Sequence, residues 1–300
     1  MPKVAVMDLG TNTFHLLIVK VNAEGHFEEL HKEKYFVKLA EGGIGTIGAP
    51  AMERAKQTLL RYRGLIDEHE VGRIKVLGTA ALRTASNGDR LLTWAKKELD
   101  FDIEVIAGEQ EAQLIHSGVY QSLPQHTGRY LVMDIGGGSV EFIIGEGGEA
   151  LWYQSFPVGA AVLLRQFHQQ DPIHRNEIAA IYQFLDEKLA PIHAALASHP
   201  TTWLIGAAGT FDVIANEIPS HQSSAYTWEI DLEKFPHLYQ SLQATSLAER
   251  ENSDWIPYDR VDMVVVASVL IQFVVERFGI DRFSVSAYSL KEGVIAEMLS

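Results

Sequence analysis

Two segments of this 300-residue chain join a carboxylate to a run of small residues, the combination a metal–phosphate group needs. Val6-Met7-Asp8-Leu9-Gly10 leads through Thr11-Asn12-Thr13 into Phe14-His15-Leu16-Leu17-Ile18. Val132-Met133-Asp134-Ile135-Gly136 leads through Gly137-Gly138-Ser139 into Val140-Glu141-Phe142-Ile143-Ile144, at an ungapped offset of 126. In each copy an apolar run ending in Asp delivers one carboxylate, and the turn after it delivers several backbone N–H groups to the same point. Gly10, Thr11, Asn12 and Thr13, and likewise Gly136, Gly137, Gly138 and Ser139, are therefore candidate phosphate cradles, because glycine permits close approach and the positive φ that converging amides require. Asp8 and Asp134 are candidate ligands, direct or through water, for Mg²⁺ or another divalent cation, which favours hard oxygens and retained waters. Glu141 on the return strand is a third candidate ligand or water-positioning group. A glycine-rich turn alone is an ordinary hairpin; its duplicate at a fixed offset gives it weight.

Each copy reads as two buried strands joined by a tight turn, and two homologous domains facing each other explain the repeat. A third strand is expected over 27–37, then a glycine-rich loop at 41–45. Met52, Ala55, Leu59, Tyr62 and Ile66 form a helical stripe, with Arg54, Lys56, Arg61 and Arg63 largely off it. Strands at 74–77 and 103–106 and helices at 91–99 and 109–120 complete the first half. The second half predicts a hairpin over 130–145, strands at 151–156, 203–205 and 283–286, and helices at 160–167, 177–196, 231–240, 260–278 and 289–299. The boundary is placed within 122–128, giving domains 1–124 and 125–288. The duplicated architecture, rather than periodicity, suggests that the last helix, 289–300, crosses back onto the first domain.

Composition narrows the chemistry. With no cysteine, disulfide, zinc-thiolate and iron–sulfur sites are excluded, so any metal must bind oxygen or imidazole. The net charge of −14 argues against non-specific DNA or RNA binding. The first 150 residues are less hostile to phosphate, with 16 Lys and Arg against 21 acids, compared with 9 against 18 in the second 150. The longest apolar stretch, 263–275, is too short to span a bilayer and predicts a buried helix. The first ten residues lack the basic n-region of a secretory signal, so a cytoplasmic location is expected. The histidines match no common metal-ligand spacing, and the scattered tryptophans read as core.

Six motifs in order resemble the exopolyphosphatase and guanosine pentaphosphate phosphohydrolase (Ppx/GppA) family of the actin and sugar-kinase superfamily. They are the two loops above, Thr79-Ala80-Ala81-Leu82-Arg83-Thr84-Ala85-Ser86-Asn87, Gly108-Glu109-Gln110-Glu111-Ala112-Gln113-Leu114-Ile115, the segment 206–210 (Gly-Ala-Ala-Gly-Thr), and Ser289-Leu290-Lys291-Glu292-Gly293-Val294. The resemblance implies an α/β fold of two duplicated actin-like (ribonuclease H-like) domains with an active-site cleft between them. It implies hydrolysis of the terminal phosphoanhydride of polyphosphate, or of guanosine penta- or tetraphosphate, with Mg²⁺. By the same match Glu111 is the catalytic base, Arg83 clamps phosphate, Gly209 joins the phosphate-binding set, and Lys38 resembles the basic residue before a Gly-rich loop, although Ala40 replaces that loop's usual glycine. No membrane partner is expected, and a homodimer stays open. Two other readings share the fold: an ATP-dependent sugar or acid kinase with 206–210 around adenosine, and a catalytically silent relative. Glu111 speaks against the first, and the acids at 8, 111, 134 and 141 against the second.

Overall fold

The computed structural model describes residues 2–22, 27–124, 128–207 and 209–299. Residues 125–127 of the expected linker, Ala208, and Ser300 of the final helix lie outside the described residues. The chain divides into two compact units, Met1–Leu114 with Leu290–Ser300, and Ile115–Ser289.

In the first unit, β1 (Lys3–Leu9), β2 (Thr13–Val21) and β3 (Phe27–Phe36) form an antiparallel meander. Helix α1 (Ala49–Glu68) crosses to β4 (Arg73–Gly78), parallel to β1; α2 (Ala80–Thr84) and α3 (Gly88–Leu99) lead to β5 (Ile103–Val105), parallel to β4; α4 (Gly108–Ser122) follows. The sheet order is β3-β2-β1-β4-β5. Alternation along β1 and β2 puts Ala5, Met7, Leu9, Phe14, Leu16 and Ile18 into one core with Ala55, Leu59, Tyr62 and Ile66 of α1. Pro50 in the first turn of α1 is suited to a helix start, where its missing N–H leaves no bond unmade. The phenol of Tyr62 donates to the Phe14 carbonyl at 2.8 Å, so the one polar atom this side chain buries is satisfied.

The second unit repeats the plan. β6 (Tyr130–Ile135), β7 (Val140–Glu146) and β8 (Glu149–Phe156) form the meander, followed by α5 (Ala160–Phe167), α6 (Arg175–Lys188), α7 (Ala190–Ser198) and β9 (Trp203–Ala207), which is parallel to β6. Then come α8 (Thr210–Glu217), the hairpin β10 (Ser220–Ser224) and β11 (Thr227–Ile230), α9 (Phe235–Ala244), α10 (Leu247–Glu251), α11 (Val264–Arg277) and β12 (Arg282–Ser286). The order β10-β11-β12-β9-β6-β7-β8 contains the five-strand pattern of the first sheet, extended by one hairpin. Helix α12 (Leu290–Leu299) belongs to the first unit. Every residue from Val264 to Val274 of α11 is buried, and among the described residues no helix is long and apolar enough to cross a membrane.

Several expectations are corrected. The division between units falls between Leu114 and Ile115, inside α4, rather than at 124. The second half of that helix packs with the second unit: His116 Nε2 lies 3.0 Å from Tyr130 Oη, and Ser122 Oγ 2.8 Å from Ser286 Oγ. The helix expected over 177–196 is two helices, because Pro191 falls in the first turn of α7 and cannot continue the hydrogen-bond ladder of α6. The helix expected over 231–240 starts at Phe235, after a 3₁₀ turn at Leu232–Lys234. The elements α2, α8, α10 and the β10–β11 hairpin were not among those expected; β10 (Ser-His-Gln-Ser-Ser) is polar and lacks the apolar alternation that marks a strand.

Candidate active site

The two repeated loops close in the same way. Gly10 N–H donates to Thr13 O at 3.1 Å, and Gly136 N–H to Ser139 O at 3.0 Å. The register also repeats at the offset of 126, with Leu9 opposite Phe14 and Ile135 opposite Val140. Glycine serves close approach here, not a left-handed backbone. Neither Gly10 nor Gly136 has a positive φ, whereas a Cβ would stand 2.8 Å from Thr13 O at the first and 3.0 Å from Ser139 O at the second. The expectation of positive φ at these two turns is corrected on that ground.

In both units the segment after the third strand ties down the loop carbonyls. Leu39 N–H donates to Thr11 O at 2.8 Å, and Val37 and Lys38 N–H both donate to Asn12 O at 2.8 Å. In the second unit Ala160 N–H donates to Gly136 O at 2.9 Å, Ala161 N–H to Gly137 O at 3.0 Å and Gly159 N–H to Gly138 O at 3.3 Å. Within a trans peptide plane the C=O and the next N–H point in opposite directions. Fixing these carbonyls therefore aims the amides of Asn12 and Thr13, and of Gly137, Gly138 and Ser139, away from the anchoring segment. Each loop thus presents consecutive N–H groups on one side, the arrangement that receives an anion. Lys38, at the anchor of the first loop, adopts φ 50°, and its ammonium lies 4.5 Å from the centre of the Phe36 ring.

In the second unit Asp134 and Glu141 face each other across β6 and β7, so their side chains share one face of the sheet. They are 8% and 1% exposed. Each accepts a hydroxyl hydrogen bond: Ser289 Oγ donates to Asp134 Oδ2, and Ser155 Oγ to Glu141 Oε1 at 2.6 Å. Two cross-strand carboxylates repel one another when ionised, and burial deepens the penalty. A divalent cation offsets that repulsion, and Mg²⁺ commonly takes one or two carboxylates, waters and substrate phosphates. The pair fits such an ion by its chemistry. Among the described residues no group of three or more His, Asp or Glu is placed to hold a metal on its own; Asp8 lies in the first unit.

There Asp8 is paired in register with His15, the residue that stands where the second copy has Glu141. Burial pushes the Asp8 carboxyl up to about 6; the nearby Lys291 opposes the rise and Glu292 adds to it. Lys291 and Glu292 open α12 and are 8% and 2% exposed. Glu111, in the first turn of α4, is buried, while Glu109, two residues earlier, points to the exposed side. Arg83 on α2 reaches Glu111: its Nη1 donates to Glu111 Oε2 at 3.2 Å and to Ile106 O at 2.7 Å. The structure thus brings the expected base and the expected phosphate-clamping arginine into direct contact. Arg61, exposed, pairs with Glu33, while Arg63 pairs with Asp67 and lies part-buried over the Phe101 ring.

Gly209 sits at φ 50° before α8, with the Arg260 guanidinium packed against it: a Cβ there would lie 2.9 Å from Nη1. Arg260, Ser155 and Gly159 carry no signal in the sequence that marks them as site residues, and the motif holding Ser289, Lys291 and Glu292 does not by itself assign them a role. Ser155 was hard to find because of a register shift. Counting back from a two-residue turn at Gly147-Gly148 sets Glu141 opposite Gln154, but the irregularity between Ile144 and Gly145 moves the pairing to Ser155.

Two α/β units that share a five-strand meander-and-crossover sheet plan define the class of fold. The chain belongs to the Ppx/GppA phosphatase family, whose sequence model matches residues 17–300. It is 30% identical over 296 residues to a putative exopolyphosphatase of Haemophilus influenzae, covering 98% of this chain and 90% of that one. It is 35% identical over 215 residues to a guanosine-5'-triphosphate,3'-diphosphate pyrophosphatase of Aliivibrio fischeri; that match covers 71% of this chain and 43% of the relative's length. An exopolyphosphatase crystal structure from Cytophaga hutchinsonii superposes with a TM-score of 0.93 at 40% identity, covering 99% of this chain and 97% of that one. The Aquifex aeolicus member of the Ppx/GppA family superposes with a TM-score of 0.80 at 25% identity over the same shares.

Proposed function

We propose that the chain hydrolyses the terminal phosphoanhydride of inorganic polyphosphate, releasing orthophosphate, as a cytoplasmic enzyme. The observation that carries the reading is Glu111, a buried carboxylate in the first turn of α4 with the Arg83 guanidinium 3.2 Å away. Hydrolysis passes through a loose transition state, so the protein's work is to align water and to balance charge on the phosphoryl oxygens. Glu111 orients the water and takes its proton as the water oxygen bonds to phosphorus and the bridging P–O bond breaks. The electron pair of that bond stays with the shortened chain. Arg83 steadies Glu111 and meets equatorial oxygens, and each loop, after Gly10 and after Gly136, offers amides that suit non-bridging phosphate oxygens. Asp134 and Glu141 would hold Mg²⁺, which would supply positive charge beside the phosphate when bound. Ser155 and Ser289 keep the two second-unit carboxylates oriented towards that ion.

A second reading, cleavage of guanosine pentaphosphate, is favoured by the similarity to the guanosine-5'-triphosphate,3'-diphosphate pyrophosphatase of Aliivibrio fischeri. Phosphate release with Mg²⁺ from tripolyphosphate, long polyphosphate, guanosine pentaphosphate and ATP separates the candidates. Release from either of the first two supports the primary reading, and release from guanosine pentaphosphate alone supports the second. Transfer from ATP to a small acceptor without net hydrolysis would make the chain a kinase and overturn both.

A further inference from the structure

In the first unit the sheet face opposite the main core carries a cleft. Side chains alternate along β4: Ile74 and Val76 turn to the core packed by α1 and α3, so Arg73, Lys75 and Leu77 share the other face. Strand β5 pairs only with Val76, Leu77 and Gly78. Among the described residues, the stretch Arg73–Lys75 therefore has no neighbouring strand on that side. Residues of α4 and α12 complete a cleft of about 440 Å³ over this stretch, within the range of about 300–1,000 Å³ that takes small organic ligands.

The lining divides by chemistry. Leu77, Leu114 and Val294 are buried and Met298 is half-buried; together they make an apolar floor, and the flexible thioether chain of Met298 adapts readily to an occupant. Two cations stand beside it on β4. Lys75 is already committed: it pairs with Glu104, whose carboxyl that hydrogen bond holds below its usual range. Gln110 Nε2, also in the lining, donates to the second oxygen of Glu104 at 3.3 Å. Arg73 is exposed and makes no ion pair among the described residues. Glu297 of α12 adds one carboxylate to the wall. With Lys75 neutralised and Glu297 repelling further negative charge, the cleft suits one anionic group, at Arg73, and disfavours a polyanion.

We propose that this cleft binds a small monovalent carboxylate on a hydrocarbon body, of the class of a medium-chain fatty acid. Its carboxylate lies on the Arg73 guanidinium, whose planar fork of donors engages two oxygens at once. Its hydrocarbon lies on Leu77, Leu114, Val294 and Met298, where removal from water drives binding. A phosphate chain has no apolar surface to place on this floor, so the site is distinct in chemistry from the phosphate loops. The occupant touches Gln110, the neighbour of Glu111, and the helix that opens with Lys291 and Glu292, which makes it an effector of the catalytic unit rather than a substrate. The site needs nothing from the hydrolase reading and goes beyond it.

The test is isothermal titration calorimetry of the full chain with hexanoate and octanoate, and with octanol and inorganic phosphate as probes that carry one half of the ligand each. Each added methylene is expected to tighten binding about threefold, and octanol and phosphate to bind about tenfold more weakly than octanoate, or worse. Arg73→Gln is expected to lower octanoate affinity about tenfold while leaving octanol affinity unchanged. Arg90→Gln, at an exposed arginine of α3, is expected to change neither, and circular dichroism checks that both variants fold. Octanoate that fails to bind, or that binds Arg73→Gln as tightly as the unaltered chain, overturns the site. Equal weakening by the two variants traces the effect to net charge and overturns it too. A dimer in sedimentation that Met298→Asp dissociates shows a second copy seated in the cleft, which also overturns the proposal.

Discussion

Gly159 carries no side chain, yet replacing it with alanine would disturb the glycine-rich loop of the second unit more than most changes in the loop itself. A Cβ at this position would stand 2.4 Å from Gly137 O, 2.5 Å from Gly137 C and 2.6 Å from Gly138 C. All three are backbone atoms, so no flexible side chain can move aside. Restoring ordinary contact demands a displacement of about 1 Å in the loop or in the start of α5, of the kind that costs about 1–3 kcal/mol in overpacked sites. The movement acts on the hydrogen bonds from Gly159, Ala160 and Ala161 that hold the loop carbonyls. For a unit of this size, 2 kcal/mol corresponds to a fall in Tm of about 4–8 °C. A misplacement near 1 Å in a positioning element can reduce turnover about a hundredfold. We expect Gly159→Ala to fold, to melt several degrees lower by circular dichroism, and to release phosphate at about a hundredth of the normal kcat. The matched control is Gly64→Ala on the exposed face of α1, where a Cβ meets nothing within 4 Å and the helix gains about 0.5–1 kcal/mol. A Gly159→Ala protein with unaltered kcat would refute the claim that anchored carbonyls aim the loop amides at phosphate.

Two further outcomes follow from the second unit. His116 is buried between Tyr120 and Tyr130, and burial lowers its pKa to about 4. Between about pH 6.5 and 4 the unfolded chain holds a proton here that the folded protein does not, so stability falls as pH drops through this window. The full loss, about 3 kcal/mol, is reached below the lower value; denaturant melts of His116→Phe should show a flatter dependence, and an identical slope would contradict the assignment. Ser155→Ala removes the hydroxyl that donates to Glu141 Oε1. We expect this variant to need several-fold more Mg²⁺ for half-maximal phosphate release, measured by titration of the ion, and an unchanged requirement would remove Glu141 from the cation set.

Much of this was legible because local chemistry and global arrangement agree. The offset of 126 gave both loops, and continuous apolar runs gave the strands that carry Asp8 and Asp134 one residue before their ends. Helix periodicity placed Glu111 and its exposed neighbour Glu109 on different sides of α4. What stayed hidden depends on contacts between distant positions. Nothing around Gly159 in the sequence points to the backbone of Gly137, and the polar β10–β11 hairpin carries no strand signature. Burial of Lys291 and Glu292 beside Asp8 requires the final helix to return to the first unit, a fact of packing that their spacing does not encode. The break between α6 and α7 was readable from Pro191, but the apolar pattern runs on through it and masks the stop.

Phosphate release by Glu111→Gln, beside the unaltered chain, with Mg²⁺ and with tripolyphosphate and guanosine pentaphosphate in turn, bears most directly on the chemistry assigned here. The amide keeps the size of the side chain and a hydrogen-bonding oxygen but cannot take the water's proton. The account predicts a fall in kcat of about a hundredfold or more with the fold intact by circular dichroism. Equal rates from the two proteins would show that another group activates the water, and the base would have to be sought elsewhere.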